Sequence, residues 1–103
     1  MTIRNLQALQ VNATGATRAI GAATGNLAIP NNASGQKARF VRVYCTSAAY
    51  IAQGNSVVTA TTTDMPVDAG SAGSVILNCN GATHVACLQQ SAAGTMTLTP
   101  LDD

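Results

Sequence analysis

The sharpest alternation of apolar and polar positions runs from Arg39 to Thr46. Val41, Val43 and Cys45 fall on one side of an extended strand there, and Phe40, Arg42 and Tyr44 on the other. That period of two predicts a half-buried β-strand. Ala49 to Gln53 predicts a second strand, stopped by Gly54-Asn55, and the β-branched run Val57 to Thr62 predicts a third, the three forming a meander. Asp64 to Gly73 reads as a loop or edge segment, because Pro66 has no N–H to give to a ladder and so bars a central position. Val75 to Cys79 and Thr83 to Gln89 are joined by Asn80-Gly81. This dipeptide supplies positive φ at both central residues of a type I′ turn, so the two segments are expected to form a hairpin. After a turn at Ser91 to Gly94, Thr95 to Thr99 alternates again, with Pro100 expected to end the strand.

The first thirty-six residues are rich in Ala, Asn, Thr and Gly, and glycines at 15, 21, 25 and 35 interrupt any helical stripe. Residues 1–26 read as an extended N-terminal arm with short strands, Ala16 to Ile20 among them, and 27–103 as one β-sandwich domain. Asn26 to Pro30 predicts a strand closed by proline, followed by a loop over Pro30 to Gln36. Turn signals recur at intervals of roughly 8–12 residues, the signature of an antiparallel sandwich or barrel. The fold class expected is therefore all-β, with no repeat of the length that marks a solenoid or propeller.

Composition narrows the functional classes. Only 9% of the residues are charged and 3% aromatic, against roughly 25% charged in an ordinary soluble domain. General acid–base work needs titratable groups in contrasting environments, and the chain offers four Asp, no Glu and one His. His84 and Cys87 stand three positions apart on opposite faces of a strand, which argues against a thiol nucleophile or a zinc site. Asp64 and Asp68 flank Pro66 and read as a solvated turn rather than a calcium site. Cys45, Cys79 and Cys87 lack C-x-x-C spacing and read as small buried residues; a disulfide needs two Cα atoms within about 7 Å. No enzyme activity, cofactor or metal is expected.

A net charge of +1 lacks the basic stripe that neutralises phosphates, so nucleic acid is a poor partner. No apolar run approaches the ~20 residues of a membrane span, and Met1 to Gln10 does not resemble a secretory signal. A protein that stays in the cytoplasm until it assembles is the expectation. With 47% hydrophobic residues and little repulsion between copies, the surface is expected to be covered by other protein, in a homo-oligomer or a larger assembly. All five basic residues fall within the first 42 positions and every acid after position 63. Arg4 to Val11 is the expected partner-binding segment, with Leu6, Leu9 and Val11 as apolar anchors and Arg4 as a charge contact. The alternative for the same residues is an ordinary edge strand of the sandwich.

The segments Leu27 to Pro30, Arg39 to Val43, Ala49 to Gly54, Asp64-Met65 and Gly94 to Thr99 resemble a pattern of small virion proteins of tailed bacteriophages. The resemblance covers roughly residues 27–99. It implies a jellyroll-like β-sandwich that decorates the outside of a phage head as a dimer or trimer. Extended termini would reach over neighbouring major capsid subunits and cement them. The chain departs from the pattern at Ala52 and Gln53, where a large aromatic or Arg is usual. A tail- or fibre-associated β-sandwich binding module is the second expectation. It ranks lower because a sugar-binding tip calls for aromatic platforms, and the chain has no Trp, one Phe and two Tyr.

Overall fold

In the computed structural model residues 10–11, 15–32 and 35–102 are described. Among them the chain forms β1 (Gln10–Val11), β2 (Ala16–Ile20), β3 (Gly25–Ala28), β4 (Phe40–Cys45), β5 (Ala49–Gly54), β6 (Met65–Val67), β7 (Val75–Asn78), β8 (His84–Gln89) and β9 (Gly94–Asp102). The first sheet has the order β1-β9-β4-β7, with β2 also paired to β9, and the second the order β3-β8-β5-β6. Every pairing is antiparallel. The protein is an all-β antiparallel sandwich.

The two-residue period of the sequence becomes the core. Val41, Val43 and Cys45 of β4 and Met96 and Leu98 of β9 face Ala49 and Ile51 of β5 and Val85 and Cys87 of β8, all buried. Each fully buried aliphatic side chain contributes about 1.5–3 kcal/mol. Ile20 of β2 joins the same cluster, so within the segment read as an arm with short strands β1 and β2 belong to the first sheet and β3, from Gly25, to the second.

Four expectations about connectivity change. The meander does not form, because both hydrogen-bonding sides of β4 are occupied by β9 and β7, and those of β5 by β8 and β6. The segment between β4 and β5 therefore crosses from one sheet to the other. The expected hairpin at Asn80-Gly81 is a turn of the expected kind, with φ of 48° at Asn80 and 88° at Gly81. It is closed by Ala82 N–H donating to the Cys79 carbonyl at 2.8 Å. Its flanking strands nonetheless lie in different sheets, β7 on β4 and β8 between β3 and β5.

The run Val57 to Thr62 is not a strand. It lies across the outer face of the second sheet, where Asn26 Nδ2 donates to the carbonyls of Ser56 (3.0 Å) and Val58 (3.3 Å). Thr24 Oγ1 accepts from Ala60 N–H at 2.8 Å. Side chains take the backbone groups that a ladder would otherwise satisfy, and β-propensity yields to that competition. Asn26 and Ala86 share this face by register, and Ala86 is fully buried although it points away from the core.

Finally, β9 does not stop at Pro100 but runs through it to Asp102. Pro100 faces Val41 on one side. On the other side it falls between the β2 register, which begins opposite Leu98, and the β1 register, which ends opposite Leu101. A residue without an N–H is tolerated where a strand changes partners.

Candidate functional site

Of the residues expected to bind a partner, Arg4, Leu6 and Leu9 lie outside the described residues. Val11 lies in β1, where its backbone pairs with Leu101 at the margin of the first sheet.

The groups that carry most chemistry in the sequence are each tied into the fold. Thr83 Oγ1 and His84 Nδ1 are hydrogen bonded at 2.8 Å. Asp64 Oδ2 accepts from Thr61 N–H at 2.7 Å and Thr61 Oγ1 at 3.2 Å, closing a local turn. All three cysteines are free and buried. Burial, with a smaller effect of Cys87, pushes the Cys45 thiol up to about 11. Burial also raises Cys79 and Cys87, the latter opposed by the Arg18 guanidinium. A thiol held protonated inside an apolar core is a poor nucleophile and a poor ligand. Among the described residues, no three His, Cys, Asp or Glu side chains converge, and no helix is long and apolar enough to cross a membrane.

What the sandwich does present is surface. On the outer face of the first sheet, Phe40, Arg42 and Tyr44 alternate with the core residues of β4. Arg42 donates from Nε and Nη2 to Ser74 Oγ, at 3.3 and 3.0 Å, and its guanidinium lies 5.7 Å from the Tyr44 ring centroid. Arg39 lies at the same distance from the Phe40 ring. Register places Thr97 and Thr99 of β9 and Ile76 of β7 on this face. The result is a band of hydroxyls around a row of alternating cations and aromatic rings.

Two further features sit where the sheets diverge. Ile51, Ala52, Gln53, Met65 and Leu77 line a shallow apolar groove of about 180 Å³ between the β6 and β7 edges. Met65 is 43% exposed and neighbouring Ile76 44%. At the Asn80-Gly81 turn, Lys37, Arg39, Asn78 and Asn80 line a polar hollow of about 260 Å³. At the opposite edge, Arg18 shares the inward side of β2 with Met96 by register. Its guanidinium covers Gly25, where a Cβ would collide with it. Arg18 thus closes the seam between β2 and β3.

The reading of the sequence missed the β7 edge and its groove. The signal was present in Val75-Ile76-Leu77: three consecutive apolar residues cannot all face one side of a strand, so one of them must point outward. No protein-family model, curated protein or solved structure matches the chain.

Proposed function

We propose that this chain is a virion structural protein that binds the outside of a bacteriophage head and cements neighbouring major capsid subunits as a homo-oligomer. The observation that carries the reading is the strand order. Numbered from β2, the eight strands stand as 2-9-4-7 against 3-8-5-6, and every connection except β5 to β6 passes between the sheets. We read this as the order of a jelly roll, the double Greek-key sandwich used by many capsid domains, and it supports the capsid reading. Fold does not name function by itself, so the surface chemistry supplies the second support. The outer face of the first sheet offers Thr hydroxyls and cation–aromatic pairs for a large protein contact. The ionisable side chains His84, Asp64 and the cysteines are occupied in turns or core.

Arg4, Leu6, Leu9 and Val11 are the proposed capsid contacts. The test is to add purified chain to heads that lack it and to count bound copies. A cement binds in large number and raises the temperature at which heads rupture, because many modest contacts on a repeating lattice add by avidity. Binding in a handful of copies at the tail, with head stability unchanged, would assign the chain to the tail- or fibre-associated class. Failure to bind either structure would overturn the virion reading.

A further inference from the structure

The sandwich has exposed strand edges, and they are not equally guarded. Proteins protect sheet edges with charge, proline or covering groups, because unpaired N–H and C=O groups there template pairing with another chain. Strand β6 carries Pro66, β2 carries Arg18, and β3 has the Arg18 guanidinium over Gly25. Strand β7, Val-Ile-Leu-Asn, carries no charge and no proline, and among the described residues it pairs only with β4.

The ladder shows which backbone groups this edge offers. Cys79 N–H donates to the Arg39 carbonyl at 2.8 Å, and Phe40 stands opposite Asn78. Antiparallel pairs alternate, so Arg39/Cys79, Val41/Leu77 and Val43/Val75 are the hydrogen-bonded pairs. Ile76 and Asn78 therefore turn their N–H and C=O groups toward the free edge. The Gln53 side chain, which reaches the Asn78 carbonyl at 3.2 Å from the second sheet, fits this direction.

We propose that β7 pairs antiparallel with β7 of a second copy about a two-fold axis at Ile76, joining the first sheets of two copies into one continuous sheet. The geometry is self-complementary, as an isologous contact requires. With Ile76 opposite Ile76 of the second copy, the two residues exchange both backbone hydrogen bonds. Inward-facing Val75 meets inward-facing Leu77, Ser74 meets Asn78, and the two half-exposed Ile76 side chains cover each other on the outer face. An axis at Leu77 keeps the edge hydrogen bonds in phase as well, but it sets each half-exposed Ile76 against polar Asn78, whose carbonyl already accepts from Gln53 Nε2. The apolar groove of Ile51, Met65 and Leu77 is continuous with this edge and is extended by the second copy. A second copy is the occupant because no charge lies on β7 to be repelled by its twin and each face matches itself. One short strand per copy is a small contact beside the ~1,600 Å² of a standard interface, so the dimer is weak in free solution.

This inference deepens the homo-oligomer part of the proposed function and is independent of head binding: it is read on purified protein, whereas the virion reading is tested on particles. Analytical ultracentrifugation of the wild-type chain is expected to show a concentration-dependent monomer–dimer equilibrium. Ile76→Lys should abolish it with the circular dichroism spectrum unchanged, and Val57→Lys, at a 75% exposed loop position, should leave it intact. Ile76→Cys should oxidise to a covalent dimer, because Cα atoms of a hydrogen-bonded antiparallel pair lie about 5.5 Å apart, within disulfide reach. The native cysteines are buried and do not compete. A wild-type chain that stays monomeric at all concentrations, with Ile76→Cys forming no more covalent dimer than Val57→Cys, overturns the proposal. So does a dimer that survives Ile76→Lys.

Discussion

Leu98 lies at the middle of β9, fully buried between β2 and β4. Its truncation to Ala leaves a cavity that the two flanking strands cannot close. Leu98→Ala is expected to cost about 2–5 kcal/mol in chemical denaturation. Cys45, equally buried, makes stability depend on pH in a definite direction. Its thiol is raised from 9.0 to about 11 in the folded chain. Between those values the unfolded chain releases a proton that the folded chain retains, so stability is intact below pH 9 and falls as pH rises toward 11. The loss is on the order of 2 kcal/mol, at ~1.4 kcal/mol per pH unit. Denaturant midpoints measured across pH 8–11 should fall, and Cys45→Ala should flatten the slope while lowering stability at pH 8.

At the scale of elements, alternation was legible wherever a strand buries one face. Val41, Val43 and Cys45 against Phe40, Arg42 and Tyr44 appear in the structure as the sequence spaces them. The loop from Asn55 to Asp64 was not legible, because its conformation is decided by Thr24 and Asn26, about thirty residues upstream. Asn26→Ala should release it: the Ala60 amide is expected to exchange with solvent markedly faster while the amides of β4 and β9 keep their protection. A loss of about 1 kcal/mol in global stability should accompany this. The Asn80-Gly81 turn shows a different limit. Local chemistry dictates positive φ at both residues, but the sheet each flanking strand joins depends on strands far away in the chain.

For the molecule as a whole, the order 2-9-4-7 against 3-8-5-6 places β1 at the margin of the first sheet and β7 at the other edge of that sheet. Val11, the proposed capsid contact among the described residues, and the proposed self-association edge are thus separated by β9 and β4. Removal of residues 1–9 leaves the sequence of every strand among the described residues intact. The truncated chain is expected to keep its unfolding midpoint and its dimerisation but to lose occupancy on heads, measured by copy number per particle. Ile76→Lys is expected to have the reverse signature in solution, with the monomer still able to contact a head through its first residues.

The amino-acid sequence by itself determined that this protein is built from strands, where most of them lie, and which of their residues face inward. These properties follow from the two-residue period and from turn chemistry acting over a few positions. Only the tertiary structure decided which strand pairs with which, why β9 passes through Pro100, and that β7 pairs only with β4 among the described residues. Pairing is a competition among all strands for a limited set of backbone hydrogen-bonding sides, and its outcome depends on residues far apart in the chain.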